Sequence, residues 1–322
     1  MNEDYLWDRS GEPDAEIVRL EQSLGELRWS ERQRDFAVTV CTSWWTQQSA
    51  WWLAAAALLV LCTGTAIAVK RMQSRGPVTS WQLSVAGGKP SAVRRGQVIE
   101  TGDVIHGTLQ SEFVGTVDIE PGSKLRVLTA REHEQRLALD HGTIHALIWA
   151  PPARFVVDTP SAKTVDLGCQ YTLHVARDGT GFLTVRMGWV AFEWRSIESF
   201  IPAGAACRTR PGHGPDTPYF LDAPETLTKA IAQFDVTGSR ESLDTAVSAA
   251  RPRDALTLWH LLQRTHENER AEVFDRFSEL VDLPGDVSRK GILRGDDKAM
   301  DAAWDALHLG NTNWWRTWKR QW

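Results

Sequence analysis

The sequence is poor in cysteine and carries no excess of positive charge. Its four cysteines, at positions 41, 62, 169 and 207 of 322 residues, form no CxxC pair and no zinc-finger spacing. We therefore expect no structural zinc site. Lysine and arginine number 36 against 41 aspartate and glutamate, which gives a net charge of -5. This balance argues against direct nucleic-acid binding through a broad basic surface.

The sequence also lacks the short motifs of phosphate-binding and acyl-transfer sites. Neither GxGxxG nor GxxxxGK[ST] occurs, and the glycine pair in VAGGKP (85–90) is not followed by the helix that a phosphate-binding loop needs. Neither GxSxG nor SxxK occurs. Because no nucleophile, base or cofactor site is evident, we expect a protein that is not an enzyme and has no cofactor.

Two histidines in HGTIH, His141 and His145, are the nearest approach to a metal-binding pattern. Even spacing would place them on one face of a strand, but we expect a turn at Gly142 between them, and no third ligand is evident. The prediction is that no metal binds here. The nearby acids Asp140, Asp158 and Asp166 are expected to be solvated or to cap turns.

One long run of the chain is apolar throughout. Residues 51–69 (WWLAAAALLVLCTGTAIAV) contain no charge and, at 1.5 Å per residue, are just long enough to cross a bilayer about 30 Å thick. Tryptophans mark one edge, and Lys70 and Arg71 mark the other, as expected of interfacial anchors. The run predicts a transmembrane helix with the lipid bilayer as its partner. A buried core helix, or a signal peptide cleaved near Ala66–Ala68, are the alternatives.

The distribution of positive charge bears on the orientation of this span. Arg32 and Arg34 precede it, whereas Lys70, Arg71, Arg75 and Lys89 follow it. Taken alone, the excess of positive charge after the span would place the C-terminal part of the chain in the cytoplasm.

The N-terminal fifty residues contain one short amphipathic helix pattern. Ile17, Leu20, Leu24 and Leu27 fall on a single stripe, after a Pro-Asp pair suited to a helix start. A lone helix of this length needs a partner to bury its stripe. It either pairs with a second copy in a coiled coil or docks a cytoplasmic protein, helped by three residues near the N-terminus: Tyr5, Leu6 and Trp7.

The region after residue 80 has the pattern of an all-β domain. Short segments with period-2 alternation are separated by glycine-containing turns, which is typical of a sandwich, barrel or rolled sheet. The predicted strands are 80–86, 97–105, 111–120, 124–130, 136–140, 143–149, 155–160, 171–176, 182–187 and 189–194.

Five glycine-marked elements occur in one order along this region. They are GQVIETGD (96–103), EPGSKLRVL (120–128), LDHGTIHALI (139–148), FVVDTPSAKTVDLGCQYTLHV (155–175) and VRMGWV (185–190). Their order resembles the FecR domain of membrane-spanning sigma-factor regulators, with architectural turn residues at Gly102, Asp103, Gly122, Gly142, Gly168 and Gly188. The chain departs from the family pattern at Cys169, where the family has threonine.

The resemblance implies a function and a topology. It implies a single-pass protein of the bacterial cytoplasmic membrane whose N-terminal segment binds an extracytoplasmic-function sigma factor, with Leu6, Trp7, Ile17, Leu20, Leu24 and Leu27 as candidate docking residues. The β domain would be a periplasmic sensor, open to another envelope protein or an outer-membrane transducer. This orientation conflicts with the charge distribution. The alternative is a non-catalytic envelope module that binds or scaffolds a protein or glycan.

Cys169 and Cys207 are the only cysteines beyond the predicted span. In an oxidising compartment the two can form a disulfide that ties late strands together. The alternative is two separate buried thiols, each behaving as a small apolar residue.

The C-terminal hundred residues change to helical periodicity. The predicted helices cover 224–234, 240–250, 253–264, 269–281 and 297–309, the fourth with an apolar face of Val273, Phe274, Phe277, Leu280 and Val281. The chain ends in NWWRTWKRQW, which spaces Trp314, Trp318 and Trp322 four apart among basic residues. These tryptophans either dock onto the helical layer or adsorb to a membrane interface.

The predicted architecture is therefore multi-domain and membrane-anchored. Residues 1–50 form a cytoplasmic segment with a short helix, 51–69 a transmembrane helix and 70–79 a linker. An all-β FecR-like domain follows at 80–220, and an all-α C-terminal layer at 223–322.

Overall fold

The computed structural model describes residues 18–19 and 81–310, apart from 86–87, 132, 196 and 286. Contacts divide the chain into two units after Val69, and residues 81–310 belong to the second. Val18 and Arg19 are helical. The rest of the predicted N-terminal helix, the predicted span and linker, and the tryptophan-rich tail lie outside the described residues. Within the described part of the chain, no helix is both long and apolar enough to cross a membrane.

Residues 82–220 form strands, as the alternating pattern predicts. The strands are β1 (Gln82–Val85), β2 (Ser91–Ala92), β3 (Val98–Glu100), β4 (Gly107–Ser111), β5 (Gly115–Ile119), β6 (Lys124–Arg131), β7 (Glu134–Ile148), β8 (Phe155–Asp158), β9 (Lys163–Asp166), β10 (Gln170–Val175), β11 (Gly181–Met187), β12 (Trp189–Trp194), β13 (Ile197–Pro202), β14 (Ala205–Arg210), β15 (Gly214–Pro215) and β16 (Tyr219–Phe220).

The strands form two sheets that share the long strand β7. Sheet 1 has the order β2-β1-β4-β5-β7-β10-β11-β14-β15, with β16 also paired to β14. Sheet 2 has the order β3-β6-β7-β8-β9-β12-β13. The first half of β7 pairs in sheet 2 and its second half in sheet 1. Every pair is antiparallel except β7 with β8.

Gly142 lies where β7 passes from one sheet to the other. The predicted turn at this position is wrong, because β7 continues without reversal from Glu134 to Ile148. Gly142 has a φ of 106°, and a Cβ atom there would lie 2.4 Å from the Cα of Ser123. Ser123 uses its hydroxyl to accept the N–H of Thr143 at 3.0 Å. The glycine thus permits a close backbone approach within a strand rather than a chain reversal.

The inner faces of the two sheets contribute to one apolar core. Leu109, Val117 and Ile144 of sheet 1 and Leu125 and Leu137 of sheet 2 are fully buried in the same cluster. Their neighbours in sequence are partly or fully exposed, as the period of two requires, except Ala138, which is also buried. The alternation of apolar and polar residues along the strands therefore determines which face of each sheet points into the core.

Helices occupy the C-terminal part of the described chain, as predicted. They are α1 (Glu225–Thr237), α2 (Arg240–Ala249), α3 (Ala255–Arg264), α4 (Glu267–Leu280), α5 (Arg289–Arg294) and α6 (Asp297–Asp305), with a 3₁₀ turn at Pro252–Asp254. N-cap residues fix the beginning of three helices. The side chains of Ser239, Ser288 and Asp296 accept N–H groups from the first turns of α2, α5 and α6, respectively. Helix α5 is too short to have been distinguished by periodicity.

The helices pack against sheet 2 through an aromatic cluster. Trp304 of α6 lies with its ring centroid 4.6 Å from that of Trp259 on α3 and 5.7 Å from that of Phe200 on β13. Trp189, at the start of β12, lies 6.3 Å from Trp304. These contacts extend the apolar core of the sheets into the helical layer, so the two regions share one core.

Candidate functional site at the junction of sheets and helices

Arg264, the last residue of α3, connects the helical layer to sheet 2. Its Nη1 donates to the carbonyl oxygen of Pro215 at 2.8 Å, and its Nη2 donates to the hydroxyl of Ser199 at 2.6 Å. Ser199 on β13 is fully buried. Hydrogen bonds from a charged donor to a buried acceptor are among the stronger hydrogen bonds in proteins. The Arg264 side chain therefore fixes α3 against the sheet.

Two aspartates lie beside this contact and are held by neighbouring donors. Asp216 accepts from the Nε of Arg210 at 2.8 Å. Asp235 of α1 accepts from the N–H of Thr217 at 2.8 Å and from its hydroxyl at 2.7 Å. Burial raises the pKa of the Asp235 carboxyl above its usual value, and the charge of Arg264 opposes that shift. The arrangement places two acidic and two basic side chains in one partly buried network.

A cavity of about 210 Å³ opens at this network, between α1 and the strands β14 to β16. Its lining includes the carboxylates of Asp216 and Asp235, hydroxyl groups, and the exposed cations Arg208 and Lys229. The full lining is Arg208, Asp216, Thr217, Tyr219, Thr228, Lys229, Ile231, Ala232 and Asp235. Chemically these groups suit the binding of a small polar molecule through charge and hydrogen bonds.

His260 lies one helical turn before Arg264 and is fully buried. Its Nε2 contacts the carbonyl oxygen of Phe200 at 3.2 Å, while its Nδ1 makes no hydrogen bond within the described residues. Burial, reinforced by the nearby charge of Arg264, lowers the pKa of His260 to about 3. The imidazole is therefore neutral near pH 7, and it donates to Phe200 from Nε2.

A second buried polar cluster lies at the corner between β9 and β10. Asp166, expected to be solvated or to cap a turn, is only 1% exposed. It accepts the N–H of Gly168 at 2.7 Å, as a turn cap does, and the thiol hydrogen of Cys169. Burial raises the pKa of Asp166 to about 7, although the hydrogen bonds from Cys169 and Gly168 act in the opposite direction. The buried hydroxyl of Tyr171 makes no hydrogen bond within the described residues. Burial also raises the pKa of the Cys169 thiol, which keeps it protonated.

Cys169 and Cys207 are both free and buried, so the structure has no disulfide between them. The sheet register explains why. Gln170, next to Cys169, pairs with Met187, whereas Cys207 pairs with Leu183, four residues away along β11. At about 3.4 Å per residue this separates the two sites by roughly 13 Å, well beyond the 7 Å limit for bridged Cα atoms. The Cys207 thiol instead contacts the carbonyl oxygen of Asp216 at 3.2 Å.

The glycines of the predicted turns differ in whether their backbone angle or the atoms around them exclude a side chain. Gly122, Gly142, Gly168 and Gly188 have φ values of 71°, 106°, 83° and 74°, in the region that favours glycine. At Gly188 a Cβ atom would lie 2.1 Å from the carbonyl oxygen of Gly168, which joins the last two elements of the pattern in space. Gly102, beside Asp103, has neither a left-handed φ nor an atom within 4 Å of a Cβ position.

The histidines singled out in the sequence lie on or near the outer face of sheet 1. His145 bonds to Glu120 at 2.7 Å through Nε2 and to Thr172 at 2.9 Å through Nδ1. His141 precedes the glycine at which β7 changes sheets. Among the described residues, no group of three or more His, Cys, Asp and Glu side chains is arranged to hold a metal ion.

The candidate docking residues Leu6, Trp7, Ile17, Leu20, Leu24 and Leu27 all lie outside the described residues. Sequence reasoning did not identify the junction itself. Ser199, Asp216, Asp235 and Arg264 are separated by up to 65 residues, and no short motif joins them. The available signal was a charged residue at the end of a helix in which six of the nine other residues are apolar, as in ALTLWHLLQR.

Comparison with known proteins adds two distant likenesses. No protein-family model matches the chain, and no curated protein matches it. Two crystal structures from Parabacteroides distasonis ATCC 8503, each described as "a putative anti-sigma factor", are similar in part. One is 17% identical, with a TM-score of 0.35 over 42% of this chain and 65% of that one. The other is 15% identical, with a TM-score of 0.35 over 47% of this chain and 74% of that one.

The first of these matches spans less than two thirds of the chain it is compared with. A TM-score of 0.35 is too low for either likeness to carry an argument about this chain. A role for the junction therefore rests on its own geometry, in which the partly buried Arg264 joins the sheets to the helical layer.

Proposed function

We propose that this chain is a single-pass regulator of the bacterial cytoplasmic membrane that controls an extracytoplasmic-function sigma factor. Its N-terminal segment would bind the sigma factor, and residues 80–322 would lie in the periplasm. The observation that carries the proposal is the ordered set of FecR-like elements, whose glycines 122, 142, 168 and 188 all adopt backbone angles that other residues avoid. A pattern of this kind reflects what the fold requires of the backbone at these four positions.

The junction suggests how a signal would travel within the outer region. A molecule in the cavity beside Asp216 and Asp235 would change the charge balance of a network that also includes Arg210 and Arg264. Because Arg264 holds α3 to β13, such a change would alter how the helices sit on sheet 2. The proposed output is a change in partner affinity or controlled proteolysis of the span, with no catalytic step.

The test of the sigma-factor role uses the full chain in its native membrane. The variant Leu20→Asp/Leu24→Asp charges the predicted docking stripe, and Gln22→Asp/Ser23→Asp adds the same charges off the stripe. We expect the first variant to lose at least 10-fold in co-purification of a sigma factor and to change transcription from its promoter. Equal recovery with both variants, or recovery with neither variant nor the wild type, would contradict the proposal.

The proposed orientation has a separate test. A fluorescent protein that matures only in the cytoplasm is fused after Trp322, and a periplasm-dependent phosphatase is fused in a parallel strain. The proposal expects phosphatase activity without fluorescence. Fluorescence without phosphatase activity would instead support the orientation that Lys70, Arg71 and Arg75 favour, and would overturn the proposed mechanism.

A further inference from the structure

The cavity between α1 and the strands β14 to β16 has at its mouth an arginine whose N–H groups are free. Arg208 of β14 lines the cavity and is exposed. Its guanidinium carbon lies 5.4 Å from the ring centroid of Phe182, and the guanidinium makes no hydrogen bond or ion pair within the described residues. The ring contact favours one placement of the cation and leaves its N–H groups available to an acceptor.

Lys229 is the second cation of the cavity lining, and its present contact is weak. It lies on α1 and pairs with Glu225, one turn earlier on the same helix, at 2.7 Å. The two side chains are 74% and 78% exposed, so solvent screens their attraction. The Lys229 ammonium can therefore turn toward an anion in the cavity without losing a strong contact.

The acidic side chains of the cavity already have cations beside them. Asp216 pairs with Arg210 at 2.7 Å. Burial raises the pKa of Asp235, and the nearby charge of Arg264 opposes that shift. These two acids and two arginines carry no net charge when all four are ionised. The two cations of the lining outnumber the one acid that pairs with Lys229, so the cavity has a surplus of one positive charge, which a monoanion would neutralise.

Apolar residues also line the cavity, which limits the kind of anion that fits. Ile231 and Ala232 of α1 and Tyr219 of β16 are among the lining residues, and the volume of about 210 Å³ admits only a small molecule. A phosphate or sulfate ion has no apolar surface to place against these side chains. A short aliphatic chain would remove its own surface and theirs from water. The lining therefore favours an anion that carries a short apolar part.

We propose that this cavity binds a small aliphatic monocarboxylate, with its carboxylate on the guanidinium of Arg208 and its chain against Ile231 and Ala232. Arginine can donate two parallel N–H bonds to a carboxylate, which fixes the orientation of the ligand. Lys229 adds a second attraction. The inference rests on the proposed function in taking this ligand to be the molecule that changes the charge balance of the junction network. Binding itself requires no sigma factor.

The test measures binding of trifluorobutyrate to the full chain in detergent by fluorine NMR relaxation. A ligand with so few atoms is expected to bind with a Kd of about 1 mM. We expect butyrate to displace this probe. Butyramide and butylamine have a similar shape without the negative charge, and we expect each to compete at least about 10-fold less effectively. Equal competition by butylamine or by inorganic phosphate, or no binding of the probe, would overturn the proposal.

Two pairs of variants locate the bound probe. Arg208→Gln removes the cation at the mouth, whereas Arg186→Gln removes an exposed arginine of the neighbouring strand β11 that is not in the lining. Ala232→Asp adds a negative charge to the cavity wall, and Gln233→Asp adds the same charge at the next position, outside the lining. We expect the first variant of each pair to raise the Kd at least about 10-fold and the second to leave it unchanged. Equal Kd values for the wild type, Arg208→Gln and Ala232→Asp would overturn the proposal.

The binding measurement and the sigma-factor test fail separately. A chain that binds trifluorobutyrate through Arg208 but captures no sigma factor would keep the carboxylate site and contradict the proposed regulator. A chain that captures a sigma factor through the predicted docking stripe but does not bind the probe would contradict the carboxylate site alone.

Discussion

The guanidinium of Arg264 lies 2.6 Å from the hydroxyl of Ser199, across the boundary between helix α3 and strand β13. The same guanidinium reaches the carbonyl oxygen of Pro215 at 2.8 Å. One side chain therefore donates to two polar groups that the packing of the helices on the sheet covers, and the Ser199 hydroxyl also donates to the carbonyl oxygen of Asp216 at 3.5 Å. The strength of the junction depends on this residue.

Replacing Arg264 with methionine keeps the length of the side chain and removes its donors. We expect the free energy of unfolding of the fragment Lys70–Trp322, a unit of its own, to fall by about 2–4 kcal/mol, because buried acceptors lose a charged partner. Urea denaturation measures this free energy of unfolding. The control Arg289→Met removes an exposed ion pair with Asp275, and we expect a much smaller loss because solvent screens that pair. Similar losses in both variants would show that the junction contact is weak.

The buried carboxyl of Asp166 makes stability depend on pH. Its pKa is about 7 in the folded chain against a usual value of 3.8. Between these values the unfolded chain ionises the group and the folded chain keeps it protonated. The free energy of unfolding should therefore fall as pH rises from about 4 to about 7, by up to about 4 kcal/mol from this group. Above about pH 7 the loss of unfolding free energy that Asp166 causes no longer changes with pH.

The variant Asp166→Asn removes this titration and keeps a side chain that can accept the N–H of Gly168. We expect a flatter profile of unfolding free energy between pH 5 and pH 8, and greater stability than the wild type at pH 8. Asp178→Asn is the control, since Asp178 is an exposed loop residue whose pKa lies below its usual value. An unchanged slope in Asp166→Asn would mean that the carboxyl is ionised in the folded chain at pH 5.

The glycine positions differ in their tolerance of a side chain. Gly142→Ala would place a Cβ atom against Ser123 at a left-handed φ, and we expect a loss of about 3 kcal/mol or more. Gly122→Ala meets no atom but retains the unfavourable φ, so about 1–2 kcal/mol is expected. Gly102→Ala should change stability by no more than about 0.5 kcal/mol. Thermal denaturation of the three variants measures these losses. We expect the largest loss for Gly142→Ala and the smallest for Gly102→Ala, and any other rank order would contradict the prediction.

The FecR pattern that the sequence resembles has threonine where this chain has Cys169. A threonine hydroxyl can donate to Asp166 as the thiol does, so Cys169→Thr should cost no more than about 1 kcal/mol. Cys169→Val has a similar shape but no donor, and we expect it to cost about 1–3 kcal/mol more than the threonine variant. Urea denaturation at pH 8, where the carboxyl carries more charge, gives the largest difference. Equal stability of the two variants would show that the hydrogen bond contributes little.

Local patterns predicted a β region followed by a helical region, because many of the elements show their own periodicity and boundary residues. The strand from Gln170 to Val175 alternates along its whole length, and Asp296 caps α6 through its own side chain. The pattern could not show that Gly142 lies within a strand, because a turn and a close approach both favour glycine. Only the position of Ser123, brought near by sheet pairing, distinguishes them.

Several strands and the polar network escaped prediction. Strands β9, β13 and β14 lie outside the predicted segments, although they have four to six residues. Strands β15 and β16 have two residues each, too few to show a period. The network requires side chains from three elements to meet, and sequence spacing says nothing about which elements become neighbours. The same reason explains why Cys169 and Cys207 were considered as a pair: the register that separates them exists only in the folded sheet.

Strand β7 belongs to both sheets over its 15 residues, and it is an interior strand of each. Neither sheet can therefore lose this interior strand while the other stays intact. Stretching or local melting that starts in one layer must pass through β7 into the second layer. The β region is thus expected to unfold in one step, with the amides of β7 among the last to exchange their hydrogens with solvent.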